Sequence, residues 1–181
     1  MEKWRRFKYL PVAPLGKDGR LVTGSPEHIR LSRTAAAEGM VLLKNENHLL
    51  PLQKGSRVAL FGKASADYVK GGGGSGDATV AYVRNLCDGM EEKENAGMLS
   101  VFAPLNEFYR ENVAQQHKAG KNPGYTTEPE VPAELLKQAA RECDTAIISI
   151  CRFSAEGWDR KGEPDDGDFY LSREEQRMVA D

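Results

Sequence analysis

Apolar positions along the chain fall into two kinds of pattern, and these alternate. Two short runs read as strands: 57–62 (RVALFG), and 145–151 (TAIISIC), which is uncharged and rich in β-branched residues. The second predicts a strand buried on both faces, as in a parallel sheet between helices. A weaker run at 98–102 predicts a further short strand. Between these lie stripes with helical spacing. Ser25 as N-cap and Pro26 at the first helical position open a helix carrying Ile29, Ala36, Met40 and Leu43. Gly39 is a candidate stop for it, in which case 40–43 reads equally well as a short strand. Val83, Leu86, Cys87 and Met90 predict a helix over 80–92, and Leu105, Phe108, Tyr109 and Val113 one over 105–116. Leu135, Leu136, Ala139 and Ala140 predict another, opened by Pro132. Ser172 and Glu175 form a capping box for a last helix near the end of the chain. The remaining segments predict loops: 45–52, with Leu49, Leu50 and Leu52 tucked inward; 118–132, rich in Lys, Gly, Pro and Thr; and the acidic 161–168.

Strands alternating with helices indicate an α/β fold, a three-layer αβα sandwich with a mostly parallel sheet. Two strands with a clear apolar run are few for such a sheet, so 25–181 is expected to be a partial domain, incomplete at its C-terminus. Residues 1–24 read as an arm, with Trp4, Phe7 and Tyr9 for docking and Pro11 and Pro14 against regular structure.

Composition narrows the function classes. With 181 residues, 40% of them apolar, and a net charge of −2, the chain suits one ordinary core. It has no basic excess to recruit nucleic acid. Its apolar runs fall well short of the ~18 residues of a membrane span. Cys87, Cys143 and Cys151 lack metal-ligand spacing, as do His28, His48 and His117, so no metal or other cofactor is expected. The N-terminus shows no apolar leader core, which predicts a reduced, cytoplasmic protein.

One segment carries candidate chemistry. Directly after the strand at 145–151 come Glu156, Gly157 and Trp158. Ligands of open α/β sheets bind beyond the carboxyl ends of the strands. A carboxyl group placed there beside an indole has the apolar surroundings that suit a general acid. The plainer reading makes Glu156 a solvated loop residue and Asp159 with Arg160 a surface ion pair. The glycine tract at 71–76 (GGGGSG) formally matches the dinucleotide fingerprint through Gly71, Gly73 and Gly76. It begins eight residues after the strand that it should follow directly, so it reads instead as a loop of close backbone approach.

In order, AAAEGMVLLKNENHLLPL (35–52), RVALFG (57–62), GGGGSG (71–76) and SAEGWDR (154–160) resemble the α/β-sandwich domain of glycoside hydrolase family 3. The resemblance covers about 25–181. It implies a retaining β-glycosidase, β-glucosidase-like, acting on a glucoside or β-linked oligosaccharide with a barrel aspartate as nucleophile and a sandwich-domain glutamate as acid/base. The family's S-G-E-G pattern maps onto Ser154, Ala155, Glu156 and Gly157, which assigns the acid/base to Glu156; alanine stands where glycine is usual. Trp158, Asp159 and Arg160 continue the pattern and are implied to shape the substrate-facing loop. No segment resembles the nucleophile-bearing (β/α)8 barrel. The position of the sandwich motifs resembles permuted members in which the barrel follows, which would place it after Asp181. A non-catalytic carbohydrate-binding or packing domain is the alternative, with a dinucleotide-binding domain behind it.

Overall fold

The computed structural model describes residues 17–18, 24–71, 74, 80, 82–122, 124–154, 156–157 and 159–180. Apart from residues 17, 18 and 24, the expected arm lies outside them. The chain divides into two units, Met1–Leu50 and Pro51–Asp181.

In the first unit α1 (Pro26–Glu38) starts as the sequence indicates: Ser25 Oγ accepts from the His28 N–H at 3.3 Å. It stops at Gly39, whose φ of −80° makes no use of glycine's left-handed freedom. The strand alternative for 40–43 is not realised; those residues form neither helix nor strand and are exposed. Leu49 and Leu50 are exposed too, rather than tucked inward. The turn is closed by polar pairing instead: the Asn45 side chain accepts from Leu50 N at 3.0 Å and donates to Leu50 O at 2.8 Å. Leu52, in the second unit, does pack against a core.

The second unit contains β1 (Arg57–Phe61), α2 (Leu86–Asn95), β2 (Ser100–Val101), α3 (Ala103–Lys118), α4 (Ala133–Glu142), β3 (Thr145–Ile148) and α5 (Arg173–Ala180). The strands form a parallel sheet in the order β2-β1-β3. Alternation along β1 sends its apolar side chains to opposite faces. Val58 and Leu60 meet Cys87 and, more peripherally, Leu86 and Met90 of α2. Ala59 meets Phe102, Leu105 and Tyr109 at the start of and along α3, and Ala139 of α4. Helices therefore cover both faces, as an αβα sandwich requires.

Two-sided burial belongs to β1, not to the later run where it is expected. β3 is a sheet edge, its residues alternate between half-buried and exposed, and it ends at Ile148 rather than at residue 151. The cause lies in β1. The last rung is Ser149 N–H to Phe61 O, 2.9 Å. The next residue, Gly62, turns away at φ +92°, and a Cβ there would lie 2.1 Å from Ser149 O. Only glycine fits that conformation and that approach. The helix expected over 80–92 begins later, because Asn85 and Asp88 form a reciprocal capping box, 2.9 and 3.1 Å.

Gly62→Ala should combine left-handed strain with a backbone clash and destabilise the unit by roughly 3 kcal/mol or more. Chemical denaturation would check this; a loss below about 1 kcal/mol would show that the two strand ends can separate freely.

Candidate functional site

The carboxyl ends of β1 and β3 lead into the residues that line a cavity of about 650 Å³. From β1 comes Lys63, in a short 3-10 turn, Lys63–Ser65, that is wholly buried. From β3 come Cys151, Arg152 and Phe153. Arg152 makes a two-pronged pair with Glu175, Nη1 to Oε1 at 2.7 Å and Nη2 to Oε2 at 2.5 Å, and its Nη2 also donates to Tyr170 O at 3.2 Å. Glu175 is the third residue of α5, where the predicted capping box is present: Ser172 N–H donates to Oε2 at 2.8 Å and Glu175 N–H to Ser172 Oγ at 3.1 Å. One buried carboxylate thus fixes the helix start and binds the guanidinium leaving β3. Such forks are stronger than neutral hydrogen bonds.

The segment between them carries the sequence-assigned residues. Glu156 and Gly157 form an exposed turn, with Gly157 at φ +77°. Gly74 lies beside it: a Cβ added there would be 3.7 Å from Glu156 Cβ and 3.8 Å from Oε2. Asp159 and Arg160 line the cavity with Gly157. Arg160 does not pair with its neighbour Asp159, as the plain reading of that dipeptide holds. Its Nη1 reaches Asp168 at 2.7 Å, whose other oxygen accepts from Lys161 N at 2.7 Å. Those contacts, the Lys161 N–H first, hold the Asp168 carboxyl below the usual range. Trp158 and Ala155 lie outside the described residues.

One part of the cavity wall is a cluster that sequence reading missed. Segment 124–128, within the loop expected over 118–132, alternates between outward Tyr125 and Thr127 and buried Thr126 and Glu128. Glu128 accepts from Lys63 N at 2.8 Å. Lys63 Nζ donates to Thr126 Oγ1 at 3.1 Å, which donates to Asp67 Oδ2 at 2.5 Å. His117 sits half-buried with Nε2 3.5 Å from Asp67 Oδ1. Burial pushes the Glu128 carboxyl up to about 7, against the pull of the Lys63 N–H and the Tyr109 hydroxyl. Burial also lowers the Lys63 ammonium, although Asp67 opposes it. The one available signal was the two-residue period of Thr126 and Glu128, and both are polar.

Because its folded-state value is raised, Glu128 makes the native state bind more protons than the unfolded chain between pH ~4.5 and ~7. Its contribution is therefore greatest below pH 4.5 and is lost as the pH rises through 7, by on the order of 3 kcal/mol. Glu128→Gln keeps the acceptor and should flatten the fall in stability from pH 5 to pH 8, measured by denaturation at each pH. Parallel pH curves for the two proteins would contradict this.

Comparison with known proteins agrees with this architecture. Residues 40–181 match the model of the glycosyl hydrolase family 3 C-terminal domain. Over 99% of its length the chain is 50% identical to beta-glucosidase A of Butyrivibrio fibrisolvens, of which it covers 24%. Over 74% it is 38% identical to a beta-glucosidase of Ruminococcus albus, of which it covers 14%. Among solved structures, beta-glucosidase 3B from Thermotoga neapolitana in complex with α-D-glucose superposes with a TM-score of 0.70 at 33% identity, over 84% of this chain and 21% of that one. A beta-glucosidase from Paenibacillus barengoltzii superposes with a TM-score of 0.72 at 32% identity, over 83% and 16%. The chain spans about a quarter of the length of these relatives or less. It belongs to glycosyl hydrolase family 3, whose C-terminal domain it carries over residues 40–181.

Proposed function

We propose that this chain is the acid/base-bearing part of a retaining β-glucosidase, with Glu156 as the acid/base. The observation that carries the reading is the placement of Glu156, on an exposed turn beyond the carboxyl end of β3, beside Gly74 and followed by Gly157. That is where parallel α/β sheets present reactive groups. The similarity to proteins named beta-glucosidases supplies the substrate class.

The reaction is a double displacement. Glu156, protonated, donates to the departing glycosidic oxygen while a second carboxylate attacks the anomeric carbon. Glu156, now a carboxylate, then takes a proton from the water that releases the sugar. Retention requires the two carboxyl groups about 5–5.5 Å apart across the bond. We assign the second to a barrel domain elsewhere in the polypeptide. The motif assigns Trp158 and Asp159 to substrate binding. Arg160, engaged by Asp168, holds the loop in shape.

The 181 residues alone should not hydrolyse an aryl β-glucoside, whereas the intact enzyme should. In the intact enzyme Glu156→Gly should lower kcat/KM for an alkyl β-glucoside by about 10²- to 10⁴-fold. Azide should restore turnover of an activated aryl glucoside, with β-glucosyl azide as product, read by chromatography. An unimpaired variant would leave this domain a binding or packing role.

A further inference from the structure

One wall of the cavity is built by a segment remote in sequence from the Glu156 turn. Gly124 sits at φ +86°, and a Cβ there would lie 2.4 Å from Phe153 Cε1, 2.9 Å from its Cζ and 2.9 Å from Val69 Cγ2. Tyr125 packs edge-on against the same ring, centroids 5.6 Å apart and planes at 89°. Phe153 is therefore held in a slot that the 124–125 backbone shapes, three residues before Glu156. The slot is in turn fixed from below. Thr126 and Glu128 reach inward to Lys63, where Glu128 takes the Lys63 N–H at 2.8 Å at the point where β1 releases the chain. Lys63, Tyr109 and Glu175 are the charged or titratable groups facing Glu128, and Asp67 completes the cluster through Thr126.

We propose that segment 124–128 is the positioning device for Glu156, with Glu128 as its buried anchor and Gly124 and Tyr125 as the faces that seat Phe153. The proposal rests on the assignment of Glu156 as acid/base. A buried hydrogen-bonded cluster has few alternative arrangements, so it transmits the fixed geometry of the β1 terminus to a turn that is itself exposed. Glu128 and Gly124 touch neither substrate nor reacting atoms in this account and act only through Phe153.

The test uses the intact enzyme and two substrates, an alkyl β-glucoside and 2,4-dinitrophenyl β-glucoside. The alkoxide needs proton donation to depart, and dinitrophenolate does not, so kcat/KM for the pair reports placement of the acid. Glu128→Ala and Gly124→Ala should each lower kcat/KM for the alkyl glucoside by at least about ten-fold, the scale expected of a misplaced catalytic group. The dinitrophenyl substrate should change by less than about three-fold, which also shows that the variants fold. Glu128→Gln, which retains the acceptor, should restore the alkyl activity. Equal losses on both substrates, or no loss in Gly124→Ala, would overturn the proposal. Glu156→Gly is run alongside: if it shows the leaving-group dependence and the other variants do not, positioning fails alone. If it shows none, the acid/base assignment fails and the proposal with it.

Discussion

The contact between Gly62 and the Ser149 carbonyl sets where the second unit changes from sheet to site. β1 and β3 stay in register through Phe61 and Ile148 and then part, because Gly62 turns with positive φ where no side chain has room. From that point each strand delivers its next residues to the same end of the sheet, Lys63 from β1 and Arg152 with Phe153 from β3. The cavity at this end owes its position to that divergence. Its walls owe theirs to what the released residues bind.

Those walls are held by charge in an interior that penalises unpaired charge. Arg152 and Glu175 satisfy one another while Glu175 also caps α5, so the helix start and the exit from β3 cannot move independently. Lys63, Thr126, Asp67 and Glu128 tie β1 to segment 124–128, with one Glu128 oxygen taking the Lys63 N–H. Removing one member of such a set leaves the others desolvated and unpaired, which costs more than the pair contributes when intact. The arrangement favours fixed geometry around a turn whose own residues are exposed.

The chain's local patterns disclosed the elements well and their surroundings poorly. RVALFG reads as a strand from its apolar run, and Ser172 with Glu175 as a helix start, because each signal lies within a few residues. Burial is set by neighbours: the run at 145–151 is the more apolar one, yet it forms the edge, while β1 takes the centre. Asn85 with Asp88 caps α2 through the same reciprocity as Ser with Glu, in a residue pair less readily recognised. Glu156, Asp159 and Arg160 are assigned from motif order alone. The anchoring cluster was not legible: Lys63 and Glu128 are 65 residues apart, and a lysine, an aspartate, a threonine and a glutamate scattered along a sequence signal a solvated surface.

The proposed mechanism divides labour: this domain supplies a proton-transferring carboxyl and another part of the polypeptide supplies the nucleophile. The intact enzyme inactivated with a 2-deoxy-2-fluoro-β-glucoside carrying an activated leaving group would retain the sugar on its nucleophile, and peptide mapping would locate it. The label should fall on a carboxylate outside these 181 residues. A label on Glu156, or on any carboxylate of this chain, would contradict the account.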